Sequence, residues 1–233
     1  MGITPPIGNP TGKIPGIFSN GEEIRIDMEG SIATIQYFVS YVNGDQFVNI
    51  LIRDVKSGLW KISLFGEYIV NGRYDAWLFQ RDLLYEETKF MVQDPLITLM
   101  IPNTSMNILS ASYFDSKTAT PAIKGGKGFT RDGRIKPEVG VLGTDVLTTG
   151  INGQNIIVSG SAVAGAILCG AVALIMQWGL VEKNDVNLFT PKIRTYLIRS
   201  VIQQAGVSYP NPESGYGLLS FEKLFENLQN GNL

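Results

Sequence analysis

An uncharged run from residue 161 to residue 178 constrains the fold of this 233-residue chain more than any other feature. Small residues recur at every fourth position within it, at Ala162, Ala166 and Gly170. A membrane-spanning helix needs about 20 apolar residues and packs through small residues of this kind. The central helix of an α/β protein is also apolar all round, because both of its faces are buried. A third interpretation is a helix that carries a nucleophile, with the nucleophile missing.

The flanks of the run favour a buried helix in a soluble protein. A polar Ser159-Gly160-Ser161 turn precedes it, and Gln177 falls near its end. Strand patterns lie before the run, and the pattern of an amphipathic helix follows it. We therefore predict no membrane span, and we expect the three small residues to let the helix approach a sheet closely.

The residue types that are absent exclude much chemistry. The chain has no histidine, so it cannot complete a Ser-His-Asp site, a Cys-His site or a His-ligated metal site alone. The one cysteine, Cys169, cannot form an intrachain disulfide, and we expect it to pack as a small hydrophobe. The net charge of −2, with no run of Lys or Arg, argues against nucleic acid as a partner. Asp75 and Glu138 are isolated carboxylates, so we expect no metal and no cofactor.

The first part of the chain has the pattern of antiparallel β structure. Polar and apolar residues alternate, and turn signals such as Asn43-Gly44 and Asn71-Gly72 separate the strands. We predict a jelly-roll or sandwich portion over residues 21–95, after a loop or linker rich in Pro and Gly at residues 1–20. The predicted strands cover residues 23–28, 32–42, 47–53, 59–64 and 74–78.

The second part, residues 96–233, mixes strands and helices, which predicts an α/β fold class. Thr190 followed by Pro191 predicts a helix start, and Ser220 predicts the N-cap of the last helix. We predict that the first of these helices ends near Gly206, with one apolar face made of Ile193, Leu197, Ile198, Val201 and Ile202. The predicted strands cover residues 98–101, 107–112, 139–147 and 156–158.

Two groups of side chains could form binding sites, and we favour a plainer interpretation of each. Trp60 and Trp77 could line a ligand site, but aromatic residues at strand positions are more often core. The loop with Arg131, Asp132, Arg134 and Lys136 could bind an anion or a partner. We predict a solvated turn with a local ion pair there.

Several segments resemble one protein family. Residues 158–174, "VSGSAVAGAILCGAVAL", resemble the nucleophile helix of subtilisin-like serine proteases, and residues 209–211 and 215–218 resemble the C-terminal signature of those enzymes. Residues 58–78 and 128–137, "GFTRDGRIKP", more selectively resemble the Csp germination proteases of spore-forming clostridia. The resemblance runs from about residue 20 to residue 225. It implies the C-terminal part of a subtilisin-like domain, a parallel sheet with flanking helices, with a jelly-roll insert. In that family the catalytic Asp and His and the oxyanion Asn lie before the insert.

The resemblance places Ala162 at the nucleophile position, flanked by Gly160 and Ser161. A methyl group has no proton to give up and no lone pair with which to attack a carbonyl, so this chain is not expected to be an enzyme. Other motif positions also differ from the family, since Ser161 replaces its Thr and Ile167 replaces its His. Scattered differences of this sort favour a naturally degenerate pseudoprotease over one engineered change.

Within the Csp family, the resemblance implies a pseudoprotease of the CspA or CspC type. Such members regulate spore germination, in which an active sibling, CspB, cuts a precursor cortex-lytic enzyme. The implied partners are a sibling Csp protein, the N-terminal part of the same protein and a small-molecule germinant, and the implied location is the cortex and coat region of the bacterial spore. One alternative is the C-terminal chain of an active germination protease inactivated by a Ser-to-Ala substitution at Ala162. Another is a β-sandwich adhesion or carbohydrate module with a helical appendix, against which the apolar helix and the Gly-Tyr-Gly signature weigh.

Overall fold

The computed structural model describes residues 1–16, 22–40, 44–69 and 71–231. These residues form two compact units, Met1–Leu84 and Tyr85–Leu233. The division into domains at residues 95 and 96 stays a prediction. The predicted turn at Asn43 and the end of the strand predicted over residues 32–42 lie outside the described residues.

The first unit is built from short antiparallel strands. Strands β2, β3 and β4 form a three-stranded meander, in which β3 is central. Alternate side chains of β3 point into the core of this unit, because successive residues of a strand face opposite sides of the sheet. The strands of this unit are β1 (Gly2–Thr4), β2 (Glu23–Met28), β3 (Ser31–Val39), β4 (Gln46–Arg53) and β5 (Lys61–Ser63).

The loop or linker predicted at residues 1–20 agrees with the structure at residues 5–16, which form a loop, but residues 2–4 form strand β1 and anchor the segment to the first unit. Strand β1 pairs antiparallel with β5, and Thr11 N donates to the Ile3 carbonyl at 2.9 Å. Ile3 and Ile14 are buried in the core of the first unit, where they pack with Met28. The Pro and Gly residues mark turns on either side of these anchors, but they do not make the segment a linker.

The later part of the first unit departs from the predicted β pattern. Residues 71–80 are all described and form no strand, so the strand predicted at 74–78 is wrong. Trp60 packs against the core, as predicted, and its indole N–H donates to the Lys56 carbonyl at 2.9 Å. Trp77 is 54% exposed, so the core prediction is wrong for it. The jelly roll stays a prediction.

The second unit has a four-stranded sheet with three helices. Its strand order is β10-β11-β7-β6, in which β7 runs parallel to both β11 and β6, and a β8-β9 hairpin lies apart from it. Helix α1 continues into one π-helical turn at Gln177–Val181. The strands are β6 (Ala111–Phe114), β7 (Val139–Leu142), β8 (Val146–Thr149), β9 (Asn155–Val158), β10 (Val201–Ile202) and β11 (Leu218–Leu219), and the helices are α1 (Ser161–Met176), α2 (Thr190–Arg199) and α3 (Phe221–Asn230).

Helix α1 packs on the sheet through one face only. The buried residues are spaced four, three and four apart, as one helix face requires, and they are Ala164, Leu168, Ala171 and Ile175. They pack with Val139 and Val141 of β7 in the core of the second unit. The predicted close-packing face is wrong, because Ala162, Ala166 and Gly170 are exposed on other sides of the helix. An all-apolar helix has no polar face from which its orientation could be read.

The same helix bears on the membrane alternative. Residues Ser161–Val181 are long and apolar enough to cross a membrane by length and composition. The core helix of a soluble protein passes the same test. The absence of a membrane span therefore stays a prediction.

Two predictions for the ends of α2 and one for a whole strand are corrected. Thr190 is the first helical residue of α2 and Phe189 takes the cap position, so the Thr190 cap is wrong. Helix α2 ends at Arg199 rather than near Gly206, and Val201–Ile202 becomes strand β10, so these two residues do not extend the helix face. Residues 98–101 form no strand, although all four are described. The Ser220 cap is confirmed, since its hydroxyl accepts from Lys223 N at 3.2 Å.

A polar cluster fixes the start of α2 to the segment before it. The Tyr196 hydroxyl donates to Asp185 Oδ2 at 2.7 Å, and Lys192 pairs with the same oxygen. The hydrogen bond from Lys192, followed by that from Tyr196, lowers the pKa of Asp185. A carboxyl whose pKa is lowered by folding stabilises the fold above its ordinary pKa and loses that contribution as the pH falls.

We therefore expect the Asp185→Asn variant to be less stable than the wild type at neutral pH. The difference in free energy of unfolding should shrink as the pH falls below about 4, the ordinary pKa of Asp. Urea unfolding at a series of pH values measures it, with the exposed Glu182→Gln as the control. A difference in free energy of unfolding that does not change with pH would contradict the pairing of the Asp185 carboxylate with Lys192 and Tyr196.

Candidate functional site

The start of α1 is held by an unusual backbone at Gly160. Its φ of 148° and ψ of 169° lie in a region that only glycine readily adopts. Its N–H donates to the Gly143 carbonyl, just past the end of β7, at 2.8 Å, and its carbonyl accepts from Val163 N and Ala164 N. This turn places Ser161 and Ala162 on the exposed first turn of the helix, so the three predicted site residues lie together there.

An open groove of about 440 Å³ runs beside this first turn, between α1 and strand β6. Its walls are mostly apolar, and its lining includes Asn103, Ala111, Ser161, Ala162, Gly165 and Cys169. Sequence reasoning missed Asn103 and Ala111, which no local pattern connects with the helix. The expectation that Cys169 packs as a small hydrophobe is wrong, because the residue is exposed at the groove.

The side chains that line the groove beside Ala162 include few polar groups. Ala162 presents a methyl group, and the polar side chains that line the groove are the hydroxyl of Ser161, the amide of Asn103 and the thiol of Cys169. None of the lining residues is a carboxylate or an amine that could act as a general base. Among the described residues, no group of three or more His, Cys, Asp or Glu side chains could hold a metal ion.

A buried ionic cluster joins β6, β7 and α2. Lys136 Nζ lies 2.6 Å from Glu138 Oε1, and both side chains are 4% exposed. The other carboxylate oxygen accepts from Ser110 N at 2.8 Å and from Ser110 Oγ at 2.7 Å. Arg194 of α2 adds a second cation, with its Nε 3.1 Å from Glu138 Oε1. Lys136 also donates to the carbonyl of Ile108.

This cluster corrects one prediction, because Lys136 is buried and does not belong to a solvated turn. The charged partners of Glu138 in the cluster are basic, so it still has no second carboxylate beside it there. No local pattern signals the cluster, because Lys136 and Glu138 precede β7 and meet Ser110 and Arg194 only through tertiary packing. Elsewhere in the loop the predicted local ion pair is confirmed, with Arg134 Nε 2.7 Å from Asp132 Oδ2. Hydrogen bonds from Arg134 and then Thr130 lower the pKa of Asp132.

Replacing either of two glycines of this site with alanine is expected to change the free energy of unfolding, in opposite directions for the two positions. Gly160→Ala should lower the free energy of unfolding by about 1–3 kcal/mol, because its backbone conformation is unfavourable for any side chain. Gly165→Ala should raise it by about 0.5–1 kcal/mol, because a helix interior favours alanine. Nothing lies within 4 Å of the position of a Cβ at either glycine, so steric clash does not enter the comparison. Urea unfolding of both variants measures the two changes in free energy. Changes of the same sign would contradict the backbone conformations described for Gly160 and Gly165.

The fold is similar to that of a known protease. Neither the protein-family models nor the curated proteins give a match to the sequence. Among solved structures, the CspB protease of Clostridium perfringens matches with a TM-score of 0.79 and 24% identity, over 98% of this chain and 49% of that one. This chain therefore spans about half the length of that protease. The subtilisin-like α/β fold class predicted from the sequence is confirmed.

Two further solved structures match less well. The prenylagaramide maturation protease PagA has a TM-score of 0.46 and 20% identity, over 58% of this chain and 47% of its own. The self-cleaved protease domain of PatA has a TM-score of 0.46 and 23% identity, over 60% of this chain and 48% of its own.

Proposed function

We propose that this chain is part of a Csp-type pseudoprotease of the CspA or CspC type, which regulates spore germination by binding rather than by catalysis. The observation that carries the proposal is Ala162, on the first turn of α1 in a protease-like fold. The turn at Gly160 presents this position to solvent, which supports the proposal that a nucleophile position is retained without its nucleophile.

The proposed partners are those that the resemblance implies, and the groove supports binding at this site. The groove beside Ala162 offers an apolar wall with a few polar groups, an arrangement typical of binding sites. We propose that a sibling Csp germination protein, or the N-terminal part of the same protein, is the macromolecular partner, and that a small-molecule germinant is a further ligand. The proposed location is the cortex and coat region of the spore.

One alternative is the C-terminal chain of an active germination protease that carries alanine in place of serine at residue 162. Two features favour this alternative, because both keep the first turn of α1, and with it residue 162, in place. They are the turn at Gly160 and the close packing of Gly143 against that turn. A Cβ at Gly143 would lie 3.0 Å from the Ala164 side chain and 3.1 Å from the Gly160 carbonyl oxygen. The differences from the family motif at Ser161 and Ile167 weigh against the alternative.

Spores of the host that lack the gene test the proposed role. We expect slow or incomplete germination, measured as the fall in optical density after germinant is added. The wild-type gene with Ala162 should restore it, and the Ala162→Ser variant should restore it equally. Normal germination without the gene, or restoration only by Ala162→Ser, would contradict the proposal.

A further inference from the structure

We propose that Asn71 is a site of spontaneous deamidation, at which the backbone nitrogen of Gly72 attacks the side-chain amide of Asn71. The observation that carries the proposal is an Asx turn, in which Arg73 N donates to Asn71 Oδ1 at 3.0 Å. The inference goes beyond the proposed function and does not depend on it, because the reaction needs only this chain and water.

The fold does not account for the Asn71-Gly72 pair. An Asn-Gly pair between two strands typically closes a hairpin, but residues 71–80 form no strand, so this pair closes none. Asn71 and Gly72 are both exposed. The position of a Cβ at Gly72 has only the Ile69 side chain within 4 Å, at 3.8 Å. The pair is therefore uncrowded and accessible to water.

The reaction exchanges one bond of the Asn71 side chain for another. A bond forms between Gly72 N and Asn71 Cγ while the bond from Cγ to Nδ2 breaks. The amide group leaves as ammonia, with the proton that Gly72 N has lost. Water then opens the resulting succinimide ring at either of its carbonyls, which gives aspartate or isoaspartate. The product carries one more negative charge than the asparagine.

The Asx turn favours this attack in two ways. The hydrogen bond from Arg73 N folds the Asn71 side chain over the peptide between the two residues. The attacking nitrogen belongs to that peptide, so Cγ and Gly72 N are held close together. The Arg73 N–H also donates to the oxygen that becomes negatively charged when the nitrogen adds, as the donors of an oxyanion hole do.

Two other Asn-Gly pairs in the described part of the chain lack this arrangement. Asn152, at the tip of the β8-β9 hairpin, has a φ of 63° and a ψ of 25°, which direct Gly153 N away from its side chain. Asn230 is the last residue of α3, and the N–H of the glycine after it donates to a carbonyl of the helix. The pairs at 20–21 and 43–44 include residues outside the described part.

The product of the reaction differs from asparagine in charge and in backbone length. The new carboxylate lies two residues before Arg73, whose Nε is 3.4 Å from Asp75 Oδ2, and it competes with Asp75 for the guanidinium. The isoaspartate form also adds a methylene to the backbone, so the Asx turn cannot re-form in its original geometry. Deamidation is thus a one-way change, and the converted fraction grows with the age of the protein.

Incubation of the full 233-residue chain in heavy-oxygen water at mildly alkaline pH tests the proposal. The oxygen of the water that opens the ring stays in the product, so mass spectrometry of peptides measures new conversion at each asparagine. In the folded protein we expect Asn71 to convert at least about tenfold faster than Asn152 or Asn230. In urea the three rates should become similar, because the Asn-Gly sequence alone then sets them.

Two substitutions of Arg73 separate its N–H from its side chain. Arg73→Pro removes the N–H and should slow the conversion of Asn71 by about tenfold. The matched control, Arg73→Ala, removes the guanidinium but keeps the N–H, so the rate should stay within about twofold of the wild type. If the proline variant does not fold, the wild type still decides. Asn71 should then convert at least as fast folded as in urea, whereas Asn152 and Asn230 should convert more slowly when folded.

Three outcomes would overturn the proposal. In the first, Asn71 of the folded protein converts no faster than Asn152 or Asn230. In the second, the same differences in rate persist in urea, which would assign them to the local sequence rather than to the Asx turn. In the third, the two substitutions of Arg73 change the rate equally.

Discussion

Replacing Glu138 with Gln is expected to lower the free energy of unfolding by about 3–5 kcal/mol, because it leaves buried cations without their carboxylate. Lys136 is as deeply buried as Glu138, and Arg194 adds a second positive charge beside it. The same carboxylate also accepts two hydrogen bonds from Ser110. Urea unfolding at neutral pH, followed by circular dichroism, measures the change.

The matched control is Asp132→Asn, which removes the carboxylate of an ion pair on the same loop. The Asp132 side chain is 61% exposed, so solvent screens its pairing with Arg134 and the expected loss is at most about 1 kcal/mol. Equal effects of the two substitutions would show that the Glu138 cluster is not buried as described. A double variant, Lys136→Met with Glu138→Leu, should recover part of the loss by removing both charges.

The second large effect is expected within α1, where replacing one residue with alanine should destabilise the protein much more than replacing the residue next to it. Ile175→Ala should lower the free energy of unfolding by about 2–5 kcal/mol, because Ile175 is fully buried and its truncation leaves a cavity. Leu174→Ala should cost less than about 1 kcal/mol in the chain alone, because Leu174 is 46% exposed. Both substitutions put alanine in the same helix, so helix propensity contributes little to the difference.

This pair of variants tests the orientation of α1 directly. The face formed by Ala162, Ala166 and Gly170, which the sequence predicts to approach the sheet, continues four residues on at Leu174 and would bury that residue rather than Ile175. The structure places Ala164, Leu168, Ala171 and Ile175 against the sheet. A larger loss for Leu174→Ala than for Ile175→Ala would contradict that orientation.

Local sequence patterns correctly predicted the elements that show a clear alternation of polar and apolar residues or a clear N-cap residue. The strands at 23–28 and 47–53 and the Ser220 cap agree with β2, β4 and the start of α3. The predicted strand at 74–78 is wrong, although aromatic residues and a turn signal mark it, because strand propensity depends on having a neighbouring strand. The anchoring of residues 1–16 to the first unit was not predictable from their own pattern, because the burial of Ile3 depends on pairing with β5, which is distant in sequence.

The candidate site was predictable in part. The motif located Gly160, Ser161 and Ala162 at the start of a helix, and the structure places them there. The groove was not predictable, because Asn103, Ala111 and Cys169 meet only through tertiary packing. The orientation of an apolar helix is likewise set by its neighbours in space rather than by its own pattern.

The proposed function gives this chain no catalytic role, and one fusion protein tests that proposal most directly by its peptidase activity. The fusion joins the half of the Clostridium perfringens CspB protease outside the match to the full chain by a flexible linker. The resemblance assigns the catalytic Asp and His to the half that the CspB protease contributes. The account predicts that the fusion with Ala162 hydrolyses no peptide substrate, and that the fusion with Ala162→Ser hydrolyses none either. Peptide hydrolysis above the level of the unfused CspB half, in either fusion, would contradict it.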